Sequence, residues 1–135
     1  MLQAKDIMTK DVISVKRETP IYKAVELMVE KNITGIPVVE DEMTLVGILS
    51  EKDVLRLFYK KGNEAGKTVD DFMTQPAIFF NEDESLLDVC NCLINNPFRR
   101  VPVTSKGKLV GIISRKDIIC ECILRDYQRP DEASK

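Results

Sequence analysis

The chain has 135 residues, 44% hydrophobic and 31% charged, with a formal net charge of −2; that length suits one compact domain or two half-domains sharing a core. The charge is spread over both halves with no basic arm or stripe, which argues against a nucleic-acid partner, and no apolar run approaches the ~18 residues of a membrane span. Histidine is absent, which excludes His-based triads and His-ligated zinc, and Met1 to Asp6 carry no signal-type apolar region, so the expected location is cytoplasmic.

In chain order, residues 12–16 form a short β-prone run. Thr19-Pro20 then predicts a helix start, a capping residue followed by proline in the first turn. Ile21, Ala24, Val25 and Met28 supply one apolar stripe, and Asn32 ends the helix. Residues 36–40 and 45–49 are β-branched-rich strands joined by an acidic turn at Asp41-Glu42, and Ser50 begins a second helix through Val54, Leu55 and Phe58. A polar linker follows.

The same plan is then repeated. Residues 77–80 read as a strand, Ser85 with Asp88 as a helix-capping pattern, and Leu86, Val89, Cys90 and Leu93 as the apolar stripe. Residues 101–104 and 109–113 are strands turning at Lys106-Gly107, and a last helix runs over 114–124. Met73-Thr74 follows Met8-Thr9, and Val101-Pro102-Val103 follows Ile36-Pro37-Val38, by 65 residues; Gly111-Ile112-Ile113-Ser114-Arg115-Lys116-Asp117 follows Gly47-Ile48-Leu49-Ser50-Glu51-Lys52-Asp53 by 64. A fixed-period self-match defines the structural unit as a duplicated module, with one residue lost from the second copy between the Pro-Val segment and the glycine. One copy alone has a poor core, so the copies are expected to pair intimately. The boundaries read as repeat 1 over residues 1–61, a linker over 62–69, repeat 2 over 70–125 and a mobile tail over 126–135.

The Gly-x-x-Ser-x-x-Asp segments admit two readings. Serine and aspartate three apart form a helix capping box. Against a purely structural role, Lys52 and Lys116 sit where the helix dipole disfavours a cation, and Gly47 and Gly111 interrupt strands where something must approach the backbone. Hydroxyl, carboxylate and lysine together suit a ribose with a nearby phosphate.

Taken in order and twice over, these motifs resemble tandem CBS domains, the Bateman module, across about residues 5–125. The resemblance implies an α+β fold of two tandem β-α-β-β-α repeats packed sheet-to-sheet with pseudo-twofold symmetry. It implies a non-enzymatic regulatory module, standing alone with no catalytic segment attached, that binds an adenine nucleotide (AMP, ADP or ATP) as regulatory ligand with no required cofactor. Carried over by position, one cleft uses Thr9 and the backbone near Ile13, Ile33 and Thr34 beside the base, Ser114 and Asp117 for the ribose, Ile112 packing nearby, Lys116 at the helix start, and Arg99-Arg100 for phosphate. The second uses Thr74, Ile78 and Phe98 with Ile48, Ser50, Lys52 and Asp53. Thr34-Gly35 stand where the first cleft has its arginines, so the two are not equivalent and the Arg99-Arg100 cleft is favoured. Phe79-Phe80 depart from the pattern and bring bulk that narrows the second cleft, while Phe98 either stacks on a base or plugs the site. Two alternatives stand beside this reading, S-adenosylmethionine in the same cleft and a ligand-independent interaction module. A homodimer through faces including Leu55, Phe58, Ile119 and Cys122 is expected by analogy, with the output passing to an effector protein.

Cys90-x-Cys92 and Cys120-x-Cys122 fall on predicted helices, where i, i+2 neighbours diverge. Cys90 and Cys92 replace Val25 and Leu27 of the first copy, which favours packing over metal binding.

Overall fold

The computed structural model describes residues 1–59 and 66–128; residues 62–65 of the expected linker and 129–135 of the expected tail lie outside the described residues. The elements are α1 (Ala4–Ile7), β1 (Val15–Lys16), α2 (Ile21–Lys31), β2 (Gly35–Glu40), β3 (Thr44–Ser50), α3 (Glu51–Leu55), β4 (Phe80–Asn81), α4 (Leu86–Asn95), β5 (Arg100–Ser105), β6 (Lys108–Ser114), α5 (Arg115–Ile118) and α6 (Arg125–Tyr127). A π-helical stretch, Ile119–Leu124, links α5 to α6. The fold is α+β with the β-α-β-β-α unit present twice.

Each repeat builds a three-stranded sheet from a parallel pair and an antiparallel hairpin, β1-β2-β3 and β4-β5-β6. The sheets adjoin through β3 and β6 at Thr44 and Lys108, in the order β1-β2-β3-β6-β5-β4. Pro37 and Ile48 of one sheet and Pro102 and Ile112 of the other line a common cavity, so the sheets face each other around a pseudo-twofold axis.

The residue missing from the second copy falls in the hairpin. β2 and β3 are joined through Asp41–Met43, with positive φ at Glu42 and Met43, whereas β5 and β6 are joined by Lys106-Gly107, φ 53° and 80°. Two consecutive left-handed residues match the right-handed twist of the flanking strands.

The apolar stripes become two cores. Ile21, Ala24 and Met28 of α2 pack with Ile36, Val38 and Leu49; Leu86, Val89 and Leu93 of α4 pack with Val101, Val103 and Ile113. Asn32 ends α2 in the left-handed region at φ 52°, as its short side chain permits. Two capping expectations are corrected. Pro20, not Thr19, holds the N-cap of α2, and the Thr19 hydroxyl accepts from the Lys16 N–H at 3.1 Å instead. Ser85 caps α4 by accepting from Leu87 N–H at 3.2 Å, without a reciprocal bond from Asp88.

The cores also exchange chain. Ala4 of α1 is buried in the second core, where its N–H donates to Glu84 O at 2.9 Å, while Val69 and Met73 are buried in the first, Val69 N–H donating to Thr19 O at 2.9 Å. Each half is completed by the segment preceding the other's first strand, the intimate pairing that a weak single-copy core requires.

Thr104 of β5 is 1% exposed and its hydroxyl has no partner among the described residues. Its counterpart in β2 is Val39. An unsatisfied buried hydroxyl costs about 1–3 kcal/mol, so Thr104→Val is expected to raise stability by about 1 kcal/mol, read as a higher urea midpoint with unchanged slope.

Candidate functional site

Both Gly-x-x-Ser-x-x-Asp segments run off the end of a strand into a helix, and both form the capping box. Asp117 Oδ2 accepts from Ser114 N–H at 2.8 Å while Asp117 N–H donates to the Ser114 hydroxyl at 3.0 Å; the corresponding distances for Asp53 and Ser50 are 2.9 and 3.3 Å. Beside each box the exchanged Met-Thr segment is pinned by a two-bond bridge, Thr9 to Ile112 (both 2.9 Å) and Thr74 to Ile48 (2.8 and 2.9 Å). A threonine and an aspartate are thus brought together twice by the same backbone device.

The side chains then diverge. Asp53 is 2% exposed, and its carboxylate accepts from the Thr74 hydroxyl at 3.0 and 3.2 Å, from the Ser50 hydroxyl at 2.9 Å, and faces the Arg56 guanidinium at 3.6 Å. Asp117 is half-buried, and among the described residues only the Ser114 N–H donates to it. A carboxylate has about four lone-pair sites; those of Asp53 are taken and those of Asp117 are largely open.

The open carboxylate faces a cavity of about 240 Å³ lined by Thr9, Asp11, Val12, Ile13, Ile33, Gly35, Arg100, Ile112, Ser114 and Asp117. Seven of these are among the residues assigned to the first cleft. Asp11, Val12 and Gly35 were missed: Val12 and Gly35 adjoin Ile13 and Thr34 but carry no polar side chain, and Asp11, between Thr9 and Ile13, belongs to no repeated motif. Thr34, Arg99 and Lys116 do not line this cavity. Thr34 and Arg99 line a second cavity of about 240 Å³ with Pro37, Ile48, Ser50, Lys52, Phe98, Arg100 and Ile112, so Gly35, Arg100 and Ile112 are shared. Lys116 is exposed. Of the second cleft's residues, Ile48, Ser50, Lys52 and Phe98 meet in the shared central cavity, whereas Asp53 and Thr74 bond to each other outside it and Ile78 is exposed. Phe79 is exposed, and Phe80 and Phe98 pack against the second core.

Cations gather where the cavities meet. The Arg100 Nε is buried with no hydrogen-bond partner, and among the described residues no acid pairs with Arg99, Arg100 or Lys52. A buried donor without a partner is unfavourable, so the half-buried Arg100 suits an anion.

The cysteines do not join this site. Cys90, Cys92 and Cys122 pack against the second core. Burial pushes the Cys92 and Cys122 thiols above their ordinary range, against a small opposing effect of the Asn96 hydrogen bond at Cys92 and with reinforcement from Asp126 and Glu121 at Cys122. Raised thiols are poor nucleophiles and poor ligands. Among the described residues, no group of three or more Cys, Asp or Glu is placed to hold a metal, and no helix is long and apolar enough to cross a membrane.

A profile of the CBS domain matches residues 4–60 and again 69–122. The chain belongs to the CBS domain family. The CBS pair is 39% identical over 115 residues to the uncharacterized protein MJ1225 of Methanocaldococcus jannaschii, covering 85% of this chain and 41% of that protein. It thus spans less than half the length of that relative. Among solved structures it resembles CBSX2 in complex with AMP (TM-score 0.81, 34% identity, covering 93% of this chain and 99% of that one). It also resembles the CBS domain pair of protein MJ0100 in complex with 5'-methylthioadenosine and S-adenosyl-L-methionine (TM-score 0.73, 26% identity, covering 100% and 99%).

Proposed function

We propose that this CBS pair is a non-catalytic regulatory module that binds an adenine nucleotide in the cleft of Thr9, Arg100, Ser114 and Asp117. The observation that carries the reading is the unequal fate of two equivalent carboxylates. Asp53 is consumed by Thr74 and Ser50, while Asp117 keeps acceptor capacity on a cavity that also holds an unpaired guanidinium. A carboxylate open to two adjacent hydroxyls suits a ribose, and a half-buried arginine without an acidic partner suits its phosphate. Ile13, Ile33 and Ile112 offer apolar walls for a base. The complexes of CBSX2 with AMP and of MJ0100 with adenosyl ligands support the same chemistry.

Because the cleft takes Ile33 from one repeat and Arg100, Ser114 and Asp117 from the other, a ligand clasped there biases their relative orientation. It acts as a signal only through differential affinity for two arrangements. The output then passes to an effector chain. Leu55, Phe58 and Ile119 are exposed and form the proposed homodimer face, while Cys122 turns towards the second core.

Thermal-shift titration tests the reading. AMP at 100 times its dissociation constant is expected to stabilise the protein by about 2.7 kcal/mol, and Arg100→Ala to remove most of that shift. S-adenosylmethionine brings no phosphate, so a shift with it that survives Arg100→Ala transfers the site to the second reading, which the MJ0100 complex favours. No shift with either ligand, in protein free of copurified nucleotide, replaces both with a ligand-independent interaction module.

A further inference from the structure

We infer that Arg115 is a positioning residue of the nucleotide site: it ties the turn that leads into Arg100 to the helix start that carries Asp117. This rests on the site proposed above, whose cavities Arg115 does not itself line.

The two repeats end their first long helix differently, and one residue decides it. α2 closes on Asn32, at φ 52°, whose N–H donates to the Met28 and Val29 carbonyls, while Ile33 N–H donates to Met28 O at 3.0 Å. That end satisfies its own carbonyls. Pro97 stands in the place of Asn32. Proline has no N–H and its φ is locked at about −65°, so it can neither turn left-handed nor donate back into the helix. It also holds the residue before it extended, and Asn96 accordingly lies at φ −131° and ψ 155°. Side chains take over the end of α4. The Asn96 amide donates to Cys92 O at 2.8 Å, and the Arg115 guanidinium donates to Asn96 O at 2.7 Å.

Arg115 opens α5 between Ser114 and Asp117. Its backbone N–H also donates to Arg99 O at 2.9 Å, so a single residue grips the Asn96–Arg99 turn at both ends. The backbone grip is common to both repeats, since Glu51 N–H donates to Thr34 O at 3.1 Å. The side-chain grip is not: Glu51 stands in the place of Arg115, and a carboxylate has no proton to give a carbonyl. Beyond the turn, Arg100 pairs with Ser114 where the β5-β6 ladder ends. The ladder fixes the Arg100 backbone from one side, and the strap fixes the chain that enters it from the other. Pro97 and Phe98, inside the gripped turn, wall the central cavity together with Arg100. Released at Asn96, that wall shifts and the half-buried Arg100 side chain loses its fixed setting, while the Ser114–Asp117 capping box stays closed. Arg115 thereby sets the spacing between the side chain proposed for the phosphate and the one proposed for the ribose.

Isothermal titration of the full chain with AMP and with adenosine tests this in the wild type, Arg115→Met, Arg100→Ala and the double variant. Methionine keeps an aliphatic stem and removes the donors, and because Arg115 is exposed both cores stay intact. Arg115→Met is expected to weaken AMP by about fivefold or more and adenosine by less than about twofold, and to leave AMP unchanged where Arg100 is already alanine, since nothing then remains to be positioned. An effect of Arg115→Met on AMP that persists in the Arg100→Ala background would mean that Arg115 acts on the phosphate by its own charge, and overturns the positioning role. Equal loss of AMP and adenosine, or no loss of either, overturns it as well and leaves the nucleotide site standing. Failure of the wild type to bind AMP overturns the site itself.

Discussion

Asp53→Ala is expected to destabilise the protein by about 3 kcal/mol and leave AMP binding intact, whereas Asp117→Ala should cost about 1 kcal/mol and abolish it. The two aspartates occupy the same position in the repeat and close the same capping box, so loss of the cap, about 1 kcal/mol, is common to both. Asp53 does more. It is almost fully buried and holds the exchanged segment to α3 through the Thr74 hydroxyl, with Ser50 as a further donor. Hydrogen bonds to a charged acceptor are worth about 1.5–3 kcal/mol, which brings the total to about 3 and the fall in melting temperature to roughly 10 °C. Asp117 makes no such tie among the described residues, and its remaining acceptor sites face the cavity. Urea denaturation of both variants, with and without saturating AMP, reads the two effects side by side. AMP stabilisation retained in Asp117→Ala removes that carboxylate from the site; equal costs for the two variants remove the argument from Thr74.

The hairpins, the apolar stripes and the helix starts were legible because each depends on neighbours in sequence. The stripe at Ile21, Ala24 and Met28 is buried as its spacing requires, and the one-residue gap between the copies lies in the turn, where Lys106-Gly107 replaces Asp41–Met43. Seven residues that line the Asp117 cavity had been singled out from the repeat and the family resemblance together. Three features had no local signal. Exchange of the segments bearing Ala4 and Val69 is a choice between two similar cores, decided by contacts such as Val69 to Thr19 and Ala4 to Glu84, some 50 to 80 residues apart. Thr9 and Thr74 are the same residue in the same motif, yet only Thr74 donates to its aspartate among the described residues, a difference of side-chain placement that composition does not encode. The last helix was visible as a helix, but its π-helical middle was not, since i to i+5 bonding leaves the apolar pattern nearly unchanged.

Gly47 and Gly111 were singled out because a glycine inside a strand implies close approach of something to the backbone. What approaches is the chain itself. A Cβ built on Gly47 would lie 2.7 Å from the Thr74 carbonyl oxygen and 3.0 Å from the Met73 sulfur; one on Gly111 would lie 2.5, 2.7 and 3.0 Å from Sδ, Cγ and Cβ of Met8. All are shorter than van der Waals contact, but the obstacles differ in kind. Met8 is unbranched and can turn its Sδ and Cγ aside, leaving only its Cβ at 3.0 Å to give by a few tenths of an ångström, so Gly111→Ala is expected to cost about 1 kcal/mol. The Thr74 carbonyl is backbone and accepts from the Ile48 N–H at 2.9 Å. It can retreat only by stretching that bridge and drawing the Thr74 hydroxyl off Asp53, so Gly47→Ala is expected to cost about 3 kcal/mol, the upper range for overpacking. Urea midpoints at constant slope rank the two directly. A larger loss in Gly111→Ala would mean that Met8 is the more rigid neighbour, and that the clamp on the exchanged segments is strongest beside the open cleft rather than the closed one.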